Sequence, residues 1–255
     1  MRESAAARGA AMRLSVVIPA YNERDALGPL LSEIDAALAG AGEYEIIVVD
    51  DGSEDDTGTA LATRIAGGSS RLRCIRHERN FGKSAALHTG VTAARGEWIA
   101  TLDGDGQNDP RDILRLLAER DRSDDPRLRL ISGVRRRRRD TLIKRLSSRI
   151  ANAARSRVLG DRTPDTACGL KLIHRAAFLE LPCFDNMHRF LPALILSGGG
   201  SIRLVEVGDR PRRFGRSKYG IHDRLWTGII DLLGVAWLQR RRLQHTRHEV
   251  GKHDD

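Results

Sequence analysis

The amino-acid sequence predicts an α/β fold: a doubly wound, mainly parallel sheet followed by a basic, helical C-terminal part. Two observations carry this. Through the first half, short apolar runs rich in β-branched residues alternate with amphipathic stretches of helix length. After Gly133 the alternation breaks and the chain turns strongly basic. A length of 255 residues suits one large α/β domain.

Leu14–Ile18 reads as a buried strand, and a helix is expected from about Arg24 to Ala39. Tyr44–Val49 forms a second strand, with a helix near Asp56–Ala66, and Leu72–Arg76 a third. A helix over Lys83–Ala94 precedes a fourth strand at Glu97–Leu102. Pro110, with fixed φ and no N–H, suits the first turn of the next helix, and Leu128–Ser132 forms a fifth strand. Thr141–Leu159 reads as one basic amphipathic helix, with Ile143, Leu146, Ile150 and Ala154 on a stripe. A short extended piece falls within Asp165–His174, a strand at Ser201–Val207 and a helix over Lys218–Gln239. The expected organisation is a single domain over 12–243, divided into 12–134 and 135–243, with flexible polar tails at 1–11 and 244–255.

Composition narrows the function classes. Cys74, Cys168 and Cys183 have neither metal-ligand nor redox spacing and read as reduced thiols. The first 11 residues contain no apolar stretch, so no signal peptide is expected there. No run approaches the roughly 20 apolar residues of a membrane span; Gly228–Leu238 is about half that. The net charge of +9 is uneven. Residues 1–134 hold 17 Lys/Arg against 22 Asp/Glu, 135–162 hold 11 against 2, and 203–247 hold 11 against 4. A basic second half points to an anionic partner. Nucleic acid is not expected: aromatics are not interleaved with the arginines, and no stacking or groove-reading motif is present.

Open parallel sheets bind ligands beyond the carboxyl ends of their strands. Three such ends are chemically loaded: Pro19-Ala20-Tyr21-Asn22-Glu23, Asp50-Asp51-Gly52-Ser53 and Asp103-Gly104-Asp105-Gly106-Gln107. Parallel strands put all three loops on one edge, and the mutual repulsion of their carboxylates calls for a cation. Hard oxygen ligands favour Mg²⁺ or Mn²⁺. Asp50–Gly52 alone would also read as an ordinary turn. A calcium loop starting at Asp103 would need Glu where Leu114 stands, and the first turn lacks the glycine fingerprint of a dinucleotide site. The joint placement is therefore the specific signal.

Four stretches, Ser15-Val-Val-Ile-Pro-Ala-Tyr-Asn-Glu23, Val48-Val-Asp-Asp-Gly-Ser53, Asn80-Phe-Gly-Lys83 and Leu102-Asp-Gly-Asp105, resemble the family 2 glycosyltransferases of GT-A fold. Three later ones resemble the dolichol-phosphate mannosyltransferase and polyprenyl-phosphate sugar transferase group: Asp165-Thr-Ala-Cys-Gly-Leu-Lys171, Met187-His-Arg-Phe-Leu-Pro192 and Arg212-Arg-Phe-Gly-Arg-Ser-Lys218. The resemblance covers about Leu14 to Trp237 and implies an inverting, metal-dependent transfer from a UDP- or GDP-linked sugar to a polyprenyl phosphate. It implies that Pro19, Ala20, Tyr21, Glu23, Asp50, Asp51, Asp103 and Gly104 bind the donor, with Asp105 and Gln107 at an Mg²⁺ or Mn²⁺ ion. Arg135, Arg212 and Lys218 would handle phosphates beside the catalytic Asp103 and Asp105, and Arg135 and Arg149 would grip the lipid phosphate. Gly104 and Gly106 depart from the Ala and Leu more usual in the group, which is expected to loosen the loop.

The residues agree with this on physical grounds. A nucleoside-diphosphate leaving group needs cations. The arginine run 135–139 and the following helix suit anionic lipid headgroups, at about 1 kcal/mol per surface charge. Peripheral attachment to the inner face of the membrane, from the cytoplasm, is the expected location. The competing acceptor is a saccharide hydroxyl; the Gln-x-x-Arg-Trp motif of processive synthases of that fold is absent from the sequence. His188 and Arg189 stand as further residues near the acceptor, though a packed helix would equally account for this stretch, and Asp165 is a candidate orienting carboxylate or an N-terminal turn residue after Pro164.

Overall fold

The computed structural model describes residues 14–135, 155–212 and 222–241. Arg149, Lys218, the arginines at 136–139, the stripe from Ile143 to Ala154 and both tails lie outside the described residues. In chain order the elements are β1 (Leu14–Ala20), α1 (Arg24–Ala37), β2 (Tyr44–Asp50), α2 (Thr57–Ala66), β3 (Leu72–Arg76), α3 (Lys83–Ala93), β4 (Trp98–Thr101), α4 (Asp112–Asp121) and β5 (Leu128–Arg135). After these come β6 (Lys171–His174), α5 (Arg175–Leu179), a 3-10 turn (Met187–Arg189), α6 (Leu191–Ser197), β7 (Ser201–Val207) and α7 (His222–Arg241).

The strands form one sheet in the order β3-β2-β1-β4-β6-β5-β7. β1, β2, β3 and β4 are mutually parallel. β6, whose direction the sequence left open, enters antiparallel between β4 and β5, while β7 runs parallel to β5. Six strands therefore share a direction. The carboxyl ends of β1, β2, β4, β5 and β7 and the amino end of β6 meet at one edge.

β1 runs two residues beyond Ile18, through Pro19 to Ala20. Pro19 is tolerated because β4 pairs with β1 only as far as Val17 opposite Thr101, and Val17 faces β4 by accepting the Leu102 N–H. Pro19 has the same parity, so its missing N–H falls where that ladder has ended.

Two apolar layers cover the sheet. Leu27, Leu30, Leu31 and Ile34 of α1 and Ile113 and Leu116 of α4 pack with Val16, Ile18 and Val48 on one face. Ala86, Leu87 and Val91 of α3, Phe178 and Leu194 pack with Val17, Ile47 and Ile99 on the other. α7 docks on this second layer through Val235, with Leu232 and Leu238 partly buried.

Candidate active site

The β1 and β2 exits are stitched together. Asn22, in the left-handed region at φ 52°, accepts the Glu54 N–H with Oδ1 at 2.8 Å and donates its own N–H to Ser53 Oγ at 2.9 Å. The Glu23 N–H donates to Thr57 Oγ1 at 3.1 Å. Gly52 has φ 70°, and a side chain there would run into the backbone of Arg79, so this turn requires glycine. Asp50 is fully buried, accepts the Ser53 N–H at 2.9 Å and lies 3.5 Å from the Arg76 guanidinium. Asp51 accepts the Phe81 and Gly82 N–H groups at 3.0 and 2.8 Å and pairs with His77 Nδ1 at 2.7 Å. It thereby fixes the loop that leads into Lys83 at the start of α3.

The Asp103–Gln107 loop follows β4. Gly104 lies against β1, where an added methyl group would stand 3.2 Å from the Pro19 carbonyl oxygen. Gly106 has φ 72°. These glycines therefore shape the loop, one by close approach and one by a left-handed turn, rather than loosening it. Across from it, the chain leaving β7 is laced on through Gly208, Arg210 and Arg212. The Gly208 N–H donates to Asp112 Oδ2 at 2.7 Å and the Arg210 N–H to the Gln107 carbonyl at 3.0 Å. Arg210 bridges Asp109, at 2.8 Å, and Glu33 of α1. Arg212 places Nη2 2.7 Å from Asp105 Oδ2 and 3.9 Å from Glu23.

Behind this rim lies a cationic floor. Lys83 pairs with Asp103. Burial pushes the Asp103 carboxyl up, but Lys83, Lys171 and Arg135 outweigh it, and the pKa lies below the ordinary carboxylate value. Gly169 leaves the room this needs, since a methyl there would collide with the Asp103 carboxylate. Arg135, at the end of β5, grips Asp165 with two bonds, Nε–Oδ2 at 2.7 Å and Nη2–Oδ1 at 2.9 Å. Lys171 is buried at the start of β6 and donates to the carbonyls of Thr166 and Cys168. Ser84 Oγ lies 2.8 Å from His188 Nδ1. Burial, with Lys83, Arg189 and Lys171 nearby, holds that imidazole neutral, its pKa well below the usual histidine value.

Lys171 gives a pH prediction. Burial lowers its pKa from 10.5 to about 8, against partial support from Cys168, Asp103 and Asp165. Between those pH values the unfolded chain binds more protons, so stability rises with pH. Below the folded value both states carry the charge, and its burial costs most. Relative to Lys171→Met, the wild type should gain stability between pH 8 and 10.5. Urea midpoints of both proteins across that range check this, and a constant difference would contradict it.

The residues fit a divalent cation. Asp105 offers a carboxylate at the rim, and Gln107 stands two residues on, its N–H donating to Asp105 Oδ1 at 3.1 Å. Among the described residues no three Asp, Glu, His or Cys side chains form a closed metal cage. Mg²⁺ and Mn²⁺ are held by one or two carboxylates together with substrate phosphates and water, and Asp105 can supply one such carboxylate.

Pro19, Ala20, Tyr21, Glu23, Asp50, Asp103, Gly104, Asp105, Gln107, Arg135 and Arg212 thus gather at one sheet edge, and Asp51 supports them through the Phe81–Lys83 loop. Sequence reasoning did not assign roles to Lys83, Lys171, Ser84 or Arg210. A lysine opening the strand Lys171–His174, ahead of buried Leu172 and Ile173, was the available signal for one of them.

Residues 15–181 match the model of the family "Glycosyl transferase family 2". The chain is 37% identical over 233 residues to the dodecaprenyl-phosphate galacturonate synthase of Rhizobium johnstonii, covering 90% of this chain and 68% of that protein. It is 35% identical over 224 residues to an undecaprenyl-phosphate 4-deoxy-4-formamido-L-arabinose transferase of Klebsiella pneumoniae, covering 87% and 66%. The chain thus spans about two thirds of the length of these relatives. Its fold is shared by the Mycobacterium tuberculosis glucosyl-3-phosphoglycerate synthase, solved with Mn²⁺, UDP-glucose and glycerol 3-phosphate: TM-score 0.64 at 23% identity, covering 89% of this chain and 80% of that one. The mannosyl-3-phosphoglycerate synthase of Rubrobacter xylanophilus gives a TM-score of 0.68 at 20% identity, covering 94% and 79%.

Proposed function

Because the chain belongs to glycosyl transferase family 2, we propose that it transfers a sugar, with inversion, from a UDP- or GDP-linked donor to a polyprenyl phosphate at a membrane surface. Pro19, Ala20, Tyr21, Glu23, Asp50, Asp51, Asp103 and Gly104 would form the donor site. Asp105 and Gln107 would hold Mg²⁺ or Mn²⁺, which when bound neutralises charge on the diphosphate. Arg212 and Lys218 would add cations to the leaving group, and Arg135 and Arg149 would meet the acceptor. An acceptor phosphate oxygen attacks the anomeric carbon, the bond from that carbon to the diphosphate breaks, and the nucleoside diphosphate leaves with both electrons.

One observation carries the acceptor class. The cationic floor lies beside the reacting position, while the carboxylate nearest the β5 end, Asp165, is held by Arg135 on both oxygens. A sugar hydroxyl needs a positioned base. A phosphate monoester, with its second pKa near 6, is mostly dianionic at pH 7 and needs cations instead. The names of the two relatives, both acting on polyprenyl phosphates, support the same class.

The membrane reading is supported by α7. Ile230, Leu233 and Trp237 are 67%, 63% and 62% exposed on one stripe, opposite the docked Val235, and exposed Arg240 and Arg241 follow. Among the described residues no helix is long and apolar enough to cross a membrane, so attachment through this chain's described helices would be peripheral.

The test supplies Mn²⁺, radiolabelled UDP- and GDP-linked sugars, and undecaprenyl phosphate in anionic vesicles. Label should enter the organic phase, be released by mild acid, and transfer less efficiently as salt rises. Label passing only to a soluble saccharide would replace this acceptor by the hydroxyl reading.

A further inference from the structure

We propose that the turn Met187–Arg189 forms one wall of the acceptor-phosphate site, with the Arg189 guanidinium and the His188 Nε2–H as its donors. This rests on the acceptor class proposed above and adds residues to it.

The turn is fixed at the reaction centre from both sides. Ser84 follows Lys83, whose ammonium pairs with Asp103. Ser84 Oγ accepts the His188 backbone N–H at 3.4 Å and lies 2.8 Å from Nδ1 of the same residue. The wall uses the tautomer in which the serine hydroxyl donates to Nδ1 and the ring proton sits on Nε2, which makes that edge of the imidazole a donor. Phe190, buried behind the turn, is in ring contact with Phe184. The donors thus stand on a packed support.

Charge bookkeeping singles out Arg189. Arg212 is committed to Asp105, Arg135 to Asp165, Lys83 to Asp103, and Arg210 to Glu33 and Asp109. Lys171 is spent on two backbone carbonyls. Among the described residues, the guanidinium of half-buried Arg189 makes no ion pair or hydrogen bond, while its backbone N–H donates to the Asn186 carbonyl at 3.0 Å. Asp231 of α7 feels its charge through space without pairing with it. Arg189 thus follows His188, which is tied to Ser84 beside Lys83, and acts on Asp231 of the helix that carries the exposed apolar stripe. An anionic headgroup approaching along that helix would meet an uncommitted cation whose fork geometry matches phosphate oxygens.

The experiment compares wild type, Arg189→Ala, Arg189→Lys and His188→Gln. Two acceptors separate a lipid headgroup from a free phosphate monoester: undecaprenyl phosphate in vesicles and soluble 3-phosphoglycerate. Donor affinity is read separately, by calorimetry with UDP and Mn²⁺. Arg189→Ala should raise KM for the accepted phosphate about tenfold to a hundredfold. UDP affinity should be unchanged, Arg189→Lys should recover part of the loss, and His188→Gln should lose less than Arg189→Ala. A wild type that transfers to undecaprenyl phosphate while Arg189→Ala keeps its KM overturns this inference and leaves the acceptor class standing. A wild type that transfers to neither phosphate overturns the acceptor class and this wall with it. If 3-phosphoglycerate alone is accepted, the lipid source is wrong, and the KM shift on that acceptor decides the wall.

Discussion

Replacing Asp105 by asparagine should lower transfer by about a thousandfold and abolish the Mn²⁺-dependent part of nucleotide binding, with the fold intact. The carboxylate is only 8% exposed, and its Oδ2 is 2.7 Å from Arg212 Nη2. Asparagine keeps the size and the Oδ1 contact to the Gln107 N–H but removes the anionic oxygen. A divalent cation held by one or two carboxylates and a diphosphate then loses a principal protein ligand. The lost Arg212 pair is part-exposed and costs little stability. Calorimetry of UDP and GDP with and without Mn²⁺ separates the terms. Equal metal dependence in variant and wild type would remove Asp105 from the ion.

This prediction draws on a residue legible in the sequence, and the reason is local. Strand ends are marked by apolar runs such as Leu14–Ile18 and Tyr44–Val49, and parallel strands send every following loop to one edge. Asp50, Asp103 and Asp105 could therefore be brought together without knowing the tertiary structure. β6 was legible as extended but not in direction, because a four-residue run contains nothing that distinguishes parallel from antiparallel pairing. The cationic floor was hidden for another reason. Ser84 meets His188 across 104 residues, and in the rim in front of the floor Arg210 meets Glu33 across 177. No spacing rule reaches over such intervals. Arg135 and Arg212 took their phosphate roles from resemblance to known motifs, with the basic character of their segments in agreement, and that resemblance says nothing of Asp165 as the partner that holds Arg135 in place.

That partner gives the second large effect. Removing either member of the Arg135–Asp165 pair should cost about 3–5 kcal/mol of stability. Both side chains are largely buried, at 17% and 5% exposure, so the survivor keeps a poorly compensated charge away from water; an Arg135 without Asp165 keeps the more distant Asp209, at 3.9 Å. In the wild type Asp165 raises the Arg135 pKa above the ordinary value against the effect of burial, and without it the guanidinium, an intrinsically strong base, still does not escape by losing its proton. The double variant Arg135→Met/Asp165→Leu should be more stable than either single one, because neither member of the pair is left charged without the other. The same geometry predicts what Asp165 does not do. Its two oxygens accept three N–H groups from Arg135, at 2.7, 2.9 and 3.3 Å, which leaves it poorly placed to take a proton from an acceptor. Asp165→Asn should therefore unfold at lower urea but keep the shape of the wild-type pH–rate profile, measured where both are folded. A lost acidic limb with unchanged stability would make Asp165 a general base and return the acceptor to a saccharide hydroxyl.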